Sequence, residues 1–197
     1  MREALPPTAA FAGITRKYKI FSRKCRSLGY NARHERTKLF WTNRSRFLDQ
    51  LSFEISAHTR KADKLGIIPC VRLNGTSDVV WEKVAPKVFT DFPQVQFYDY
   101  TKLPTRFDHA MPKNYHLTFS QSENNQRDAA RLLKSKHNVA VVFRLRKGAA
   151  LPAKYMGVKV IDGDEHDLRF TDKRGVVVGL RSKGSSYHDQ TGFVVDL

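Results

Sequence analysis

Short apolar runs alternate with longer polar connections through the middle of the chain. The runs lie near residues 67–73, 94–98, 115–119 and 138–143, and each has the length of a single strand. The last of them, NVAVVF, is almost wholly apolar, which is typical of a strand covered on both faces. This alternation predicts an α/β fold in which parallel strands are joined by right-handed crossovers. We expect an incomplete, open β/α-barrel-like sheet with flanking helices.

A helix is predicted before the first of these strands. Apolar residues recur at helical spacing from Phe47 to Ile55, which is typical of a helix that packs one face on a core. Thr42 or Asn43 can cap its start, and Gly66 stands at its exit.

The last third of the chain predicts strands at closer spacing. The candidates lie at residues 156–161, 168–170, 175–180 and 193–195. The link from Asp172 to Gly175 has the residues of a hairpin turn. We therefore expect a C-terminal β-hairpin.

Positive charge is concentrated near the start of the chain. The net charge is +16, and residues 15–46 hold eleven lysines and arginines against one acid, Glu35. Because such a segment attracts polyanions, we predict nucleic-acid binding; the plainer alternative is a basic surface that only keeps the protein soluble. We expect residues 1–30 to form a basic arm and residues 31–197 a single α/β domain. The predicted phosphate contacts are Arg16, Lys17, Lys19, Arg23, Lys24, Arg26, Arg33 and Arg36.

Composition narrows the class of protein further. Hydrophobic residues make up 41% of the chain and charged residues 27%, which is typical of a globular protein. No apolar stretch approaches the roughly 20 residues that span a bilayer, and the start lacks the pattern of a secretory signal. With two cysteines, Cys25 and Cys70, we expect a reduced, cytoplasmic protein without membrane contact.

Polar clusters follow the apolar runs, at the positions where ligand sites form in parallel sheets. Carboxylates, amides, hydroxyls and cations in these clusters can bind a phosphate, a carboxylate or a hydroxylated ligand. The predicted ligand-binding residues are Arg72, Asn74, Thr76, Asp78, Asp99, Lys102, Ser120, Ser122, Arg181 and Lys183. Structural alternatives remain open. Asn74 and Asp78 can satisfy backbone donors in a tight turn, and Ser120 with Glu123 has the spacing of a capping box.

The residues themselves give no reason to expect a metal or a cofactor. No histidine or cysteine pair has metal-ligand spacing, and we predict His116 to be a satisfied structural histidine. The acidic run from Asp162 to Asp167 fits a hairpin turn better than a cation site. The chain has no P-loop, Gly-x-Ser-x-Gly, HExxH or dinucleotide fingerprint. We therefore assign no catalytic residue.

Six blocks of the sequence resemble, in this order, the phage "gene 88 protein" family: VRLNGTSDVVWE, FPQVQFYDYTK, YHLTFSQSENN, NVAVVF, VIDGDEHDLRF and GVVVGLRSKG. The resemblance runs from Asn31 to the C-terminus and implies an origin in a phage, plasmid or prophage, without an established activity. It also implies a cysteine-rich segment ahead of Ala32, suggestive of a metal or iron–sulfur site. Here only Cys25 lies in that region, whereas a four-iron cluster takes several thiolates.

Three functions are consistent with these features. The first is a phage or mobile-element protein that binds nucleic acid through the basic segment and the polar loops at the strand ends. The second is an enzyme that acts on a nucleotide or a nucleic-acid phosphate at the strand ends. The third is an inhibitor of a host or defence protein complex through direct protein–protein contact. The choice between DNA and RNA and the oligomeric state stay open.

Overall fold

The computed structural model describes residues 18–21, 29–75 and 77–197, with side chains described from His34 onward except at position 76. The described residues form two compact units. Unit 1 contains the described residues up to Leu73 and the segment Trp81–Phe97, and unit 2 contains Asn74–Val80 and Tyr98–Leu197.

Unit 1 is a set of parallel strands accompanied by helices. Strand β1 (Tyr18–Phe21) lies beside β2 (Ile68–Val71), with Tyr18 opposite Ile68. The start of β3 (Gln96–Thr101) lies on the other side of β2, with Phe97 opposite Val71. The helices are α1 (Gly29–Thr42), α2 (Arg44–Asp63), α3 (Trp81–Val84) and α4 (Lys87–Asp91).

Helix α2 begins and ends as its sequence predicts. The side-chain oxygen of Asn43 accepts a hydrogen bond from the backbone N–H of Arg46 at 3.1 Å, which satisfies one of the free donors of the first turn. Ile55 is buried on the inner face. Past the helix end, Gly66 has φ +62°, a conformation that a glycine adopts without the clash of a Cβ.

Three aromatic rings join the helices of unit 1. The Phe40 ring lies 5.3 Å from that of Phe47 and 5.8 Å from that of Trp81, in edge-to-face contacts. The rings of Phe47 and Trp81 stack with centroids 6.2 Å apart. Such pairs add stabilisation beyond the burial of their surface, so α1, α2 and α3 share one small core.

Unit 2 holds most of the sheet. Besides the end of β3, its elements are β4 (Tyr115–Ser120), α5 (Gln126–Lys134), β5 (Val139–Phe143), β6 (Lys154–Tyr155), β7 (Val158–Asp162), β8 (Val177–Arg181) and β9 (Val194–Val195). The strands lie in the order β3-β4-β5-β8-β7-β6, and β9 pairs with β5. The pairs that β5 forms with β4, β8 and β9 and the pair β7–β8 are parallel, whereas β6 and β7 are antiparallel. The last strand in this order does not return to the first, so the predicted α/β class with an open, mostly parallel sheet is confirmed.

The core of unit 2 lies where α5 packs on the sheet. Leu132 of the helix is 1% exposed, and Phe119, Val139 and Phe143 of the strands are fully buried. The segment NVAVVF is a strand because each of its valines fits a pleated, covered surface.

Three local predictions were wrong. Residues 168–170 do not form a strand, because Arg169–Thr171 is a 3-10 turn that follows the buried Leu168. Neither the link 172–175 nor the acidic run 162–167 is a hairpin turn, since β7 and β8 run parallel; a hairpin joins β6 to β7 instead.

The capping box of Ser120 and Glu123 is also absent. Helix α5 begins at Gln126, with Asn125 at the cap position. The Asn125 side chain accepts from the backbone N–H of Ser122 at 2.7 Å and donates to the carbonyl of Ser120 at 3.1 Å. One amide therefore closes the loop that the capping box was expected to close.

Replacement of Gly163 by alanine is expected to lower the free energy of unfolding by about 2 kcal/mol, because the new methyl group has no space. A Cβ at this position would lie 2.5 Å from Cγ1 of Val178 and 3.0 Å from the carbonyl oxygen of Gly179. Gly75→Ala is the matched control, because nothing lies within 4 Å of its added methyl. Urea unfolding of the two variants measures the difference, and equal midpoints would contradict the expected crowding.

Candidate functional site

Asn74, in the loop that follows β2, is hydrogen-bonded to Asp99 of β3, and both residues are almost fully buried. Oδ1 of Asp99 accepts the backbone N–H of Asn74 at 2.7 Å, and Oδ2 accepts the hydroxyl of Tyr115 at 2.7 Å. The Asn74 side chain in turn donates to the carbonyl of Val79 at 3.0 Å and accepts its N–H at 3.1 Å. These bonds hold the loop from Asn74 to Val79 against the end of β3.

Arg106 extends this arrangement from the other side. Its guanidinium, 1% exposed, donates through Nη2 to the Tyr115 hydroxyl at 2.9 Å and through Nη1 to Asp78 at 3.1 Å. Asp78 also accepts the backbone N–H of Lys102 at 2.7 Å. We call Asn74, Asp78, Asp99, Arg106 and Tyr115 the buried network.

The Tyr115 hydroxyl is the centre of the buried network and remains protonated. Burial raises the pKa of Tyr115, and the neighbouring Asp99 carboxylate raises it further, although Arg106 opposes them. The hydroxyl therefore serves as a donor to Asp99 and an acceptor from Arg106, which is the arrangement that a buried charge pair needs.

The remaining predicted residues of these first clusters lie in different surroundings. Arg72 is half-buried just past β2 in unit 1, and Thr76 lies outside the described residues. The Lys102 amine lies 4.9 Å from the centroid of the Phe193 ring. Since internal donors occupy the carboxylates of Asp78 and Asp99, the structure favours the turn-forming alternative, and a ligand role for these side chains stays a prediction.

Arg181 and Lys183, predicted to contact phosphate, bind carboxylates of their own chain. Nη1 of Arg181 lies 2.9 Å from both oxygens of Asp162 and 3.1 Å from Oδ2 of Asp164, and the Lys183 amine lies 2.8 Å from Oδ1 of Asp164. Burial raises the pKa of Asp164, but hydrogen bonds from Lys183 and Arg181 outweigh it, so the net shift is downward. The acidic run therefore neutralises two of the cations assigned to ligand binding.

Ser120 and Ser122 lie at the end of β4, where Asn125 binds their backbone groups. Between them, the Gln121 amide donates to the Tyr155 hydroxyl at 3.0 Å. The polar cluster after β4 is thus organised by two side-chain amides. Neither amide was among the predicted site residues.

The described part of the basic segment presents cations beside exposed aromatic surface. The Trp41 side chain is 71% exposed at the end of α1, and the Arg44 guanidinium lies 4.7 Å from the Phe40 ring and 5.9 Å from the Trp41 ring. Lys38 and Arg46 are also exposed. This combination of cations and an aromatic face suits contact with nucleotides.

Only one of the residues of the basic segment predicted to contact phosphate, Arg36, has a side chain that the structure describes. The Arg36 guanidinium, 39% exposed, lies 3.9 Å from the Glu54 carboxylate. The backbone of Lys19 and Arg33 is described but their side chains are not. Those outside the described residues are Arg16, Lys17, Arg23, Lys24 and Arg26.

Comparison with known proteins gives one decisive match. The family model named "Gene product 88" matches residues 21–197, which is most of the chain. The protein belongs to the gene product 88 family. The resemblance to a phage-associated family is thereby confirmed, and no curated protein and no solved structure matches this chain.

Among the described residues of this gene product 88 protein, no cysteine belongs to a metal site. Cys70 is buried in β2, and burial raises the pKa of its thiol to about 12. Cys25 lies outside the described residues. Within the described ranges, no group of three histidine, cysteine or acidic side chains is placed to hold a metal ion. No helix among them is long and apolar enough to cross a membrane.

Sequence reasoning missed two members of the buried network and one histidine environment in this gene product 88 chain. Arg106 and Tyr115 carry no local motif, and only their distant partners show that they belong together. The prediction of a satisfied His116 was wrong, because Nε2 of His116 is buried and has no hydrogen-bond partner in the described part of the chain. The sequence signal for this unpartnered environment is a histidine inside an apolar strand with basic connections nearby.

Proposed function

We propose that this gene product 88 protein binds nucleic acid through the basic segment of residues 15–46. The observation that carries the proposal is the concentration of charge, with eleven cations and one acid in this segment. Phosphates contacted by such a segment release counterions, which drives binding largely without regard to sequence. Nucleic acid in the cytoplasm of a host cell is the corresponding ligand.

The exposed surface of α1 and α2 supports the same ligand. Trp41, 71% exposed, presents a large aromatic face to solvent beside Arg44. An exposed aromatic next to arginines can stack on a base while the guanidinium binds the adjoining phosphate. The proposal therefore adds Lys38, Trp41 and Arg44 to the predicted contacts.

The strand-end loops have a smaller part in this proposal than the sequence suggested. Arg181 and Lys183 are already paired with Asp162 and Asp164, so a phosphate would have to compete with two carboxylates. We therefore place the main phosphate contacts in unit 1.

Neutralising the start of the basic segment is expected to abolish nucleic-acid binding. The test variant replaces Lys17, Lys19, Arg23, Lys24 and Arg26 with glutamine. The control variant replaces five exposed lysines of unit 2, namely Lys113, Lys134, Lys147, Lys154 and Lys159. Each variant lowers the net charge from +16 to +11, so the two differ only in where the charge is lost.

Fluorescence anisotropy with labelled single- and double-stranded oligonucleotides, repeated across a salt series, measures the outcome. Each lost phosphate contact lowers the slope of log affinity against log salt by about 0.9 on duplex DNA or about 0.7 on single strands. The control variant should keep most of the wild-type slope. The proposal fails if the test variant retains wild-type affinity and slope, or if both variants lose equally. A host protein that stays bound after nuclease treatment would instead support the inhibitor hypothesis.

A further inference from the structure

A cleft of about 150 Å³ opens in unit 2 at the amino ends of β4 and β5. The sequence had predicted ligand-binding residues at the opposite, carboxyl ends of the strands. Its polar lining consists mainly of cations, imidazoles and one amide, and no aspartate or glutamate lines it. The principal polar residues are Arg106, His116, Lys136, His137, Asn138 and Arg174. A cleft with this lining attracts negative charge.

Two backbone segments are locked together at the mouth of the cleft. Lys136 and Gly175 both have left-handed conformations, with φ +64° and +69°. A Cβ on Gly175 would lie only 3.3 Å from the Cα of Lys136, so the glycine permits the close approach. The backbone N–H of Val176 donates to Oδ1 of Asn138 at 3.2 Å. These contacts hold Arg174 beside the segment from Lys136 to Asn138.

Two buried polar groups of the cleft have no partner in the part of the chain that the structure describes. Asn138 is 4% exposed, and with Oδ1 bonded to Val176 its Nδ2 donor is left unbonded. Nε2 of His116 is likewise buried and forms no hydrogen bond with a described residue. A buried amide donor without an acceptor destabilises the fold. An anion in the cleft would supply the missing acceptor.

The cations at the mouth are not neutralised by any described residue. The side chains of Lys136 and Arg174 form no ion pair or hydrogen bond in the described part of the chain, and both residues are exposed. Burial, together with the charges of Arg174, Arg169 and His137, lowers the pKa of His116 to about 4. The surroundings of His116 therefore disfavour a further positive charge in the cleft. A bound anion would reduce this repulsion.

We propose that this cleft binds a phosphate group, either free or as the phosphate of a small monoester. Lys136 and Arg174 would supply charge, and Asn138 Nδ2 and the His116 imidazole would supply directed donors. The volume is well below the roughly 300–1,000 Å³ of sites that enclose drug-sized ligands. The cleft therefore suits one small charged group and not a whole nucleotide.

This inference is independent of the proposed nucleic-acid function. All groups of the cleft belong to unit 2, whereas the described residues proposed to contact nucleic acid, such as Lys38, Trp41 and Arg44, belong to unit 1. A cleft variant should therefore bind oligonucleotides as the wild type does, and the failure of either proposal leaves the other standing.

The test uses the full chain and isothermal titration with inorganic phosphate. The cleft variant carries Lys136→Gln and Arg174→Gln, and the control carries Lys134→Gln and Lys173→Gln, which change exposed cations of neighbouring positions outside the cleft lining. Both lose two charges. We expect the dissociation constant to rise at least roughly tenfold in the cleft variant and to stay within about twofold in the control, since each charged hydrogen bond contributes roughly 1.5–3 kcal/mol.

The remaining measurements separate the outcomes. Thermal unfolding confirms that both double variants fold, which is expected because the replaced side chains are exposed. Titration with glycerol 3-phosphate shows whether the cleft accepts a monoester or only the free ion. Absence of saturable one-to-one binding in the wild type overturns the proposal. Equal weakening in the cleft and control variants also overturns it, because it would mean that general charge and not the cleft attracts phosphate.

Discussion

Tyr115→Phe is expected to lower the free energy of unfolding by about 3 kcal/mol, although it removes one oxygen atom. The change leaves Oδ2 of Asp99 without the donor at 2.7 Å and Nη2 of Arg106 without the acceptor at 2.9 Å. Asp99 and Arg106 are each 1% exposed, so water cannot replace the lost partner. Hydrogen bonds to buried charged groups contribute roughly 1.5–3 kcal/mol each, so the loss of these two accounts for a decrease of about 3 kcal/mol.

Thermal and urea unfolding measure this loss directly. For a chain of this length, about 3 kcal/mol corresponds to a decrease in Tm of roughly 6–12 °C. Tyr187→Phe is the matched control: the ring is half-buried in an edge contact with His188, and its hydroxyl forms no hydrogen bond with a described residue. Loss of this hydroxyl should change stability by no more than about 0.5 kcal/mol. If the two variants unfold at the same temperature, the buried network does not stabilise the fold as its geometry indicates.

His116→Gln is expected to become more stable relative to the wild type, by about 3 kcal/mol, as the pH falls from 6.5 to 4. Burial and the charges of Arg174, Arg169 and His137 lower the pKa of His116 in the folded protein to about 4, from an ordinary value of 6.5. Between these values the unfolded chain binds a proton that the folded protein excludes. The wild type therefore loses stability on acidification, whereas the glutamine variant lacks this titration.

The pH dependence of the wild type alone would hide this effect. Burial raises the pKa of Asp172 to about 6, with Asp167 adding to the rise and Arg169 opposing it. A carboxyl group whose folded pKa is raised contributes stability below its unfolded pKa and loses it as the pH rises through 6. Asp172 and His116 thus act in opposite directions over the same range.

Urea unfolding of the wild type, His116→Gln and Asp172→Asn at several pH values separates the two contributions. Relative to the wild type, the first variant should gain stability on acidification and the second should lose it. A difference between wild type and His116→Gln that stays constant from pH 6.5 to 4 would show that His116 titrates normally in the fold.

The sequence was sufficient to predict those helices and strands that depend on interactions between residues close together in the chain. Helix α2 follows from apolar spacing and from the cap at Asn43, and both act within a few residues. The strand around NVAVVF follows from an apolar run of strand length. The strand prediction for residues 168–170 was wrong because three residues cannot distinguish a strand from a buried turn. Leu168 and Arg169 are fully buried at the start of a 3-10 turn.

The candidate sites depend on pairings that no local pattern encodes. Asp78 and Arg106 are 28 positions apart in the chain, and they meet because the connections that hold them follow β2 and β3, which are neighbouring parallel strands. Arg174 reaches the cleft because β8 lies parallel to β5, with Val177 opposite Val139. The sequence shows which polar residues follow the strands. Whether these residues face a ligand or one another depends on how neighbouring strands are paired, which the sequence does not show.

The position of β9 has a consequence for synthesis on the ribosome. Val142 pairs with Val194, 52 positions later in the chain, so the last residues of β5 have no partner on that side until the β9 segment is translated. An unpaired strand edge in a nascent chain is prone to associate with other chains. A pause or premature stop before residue 194 should therefore yield a product that aggregates or recruits chaperones.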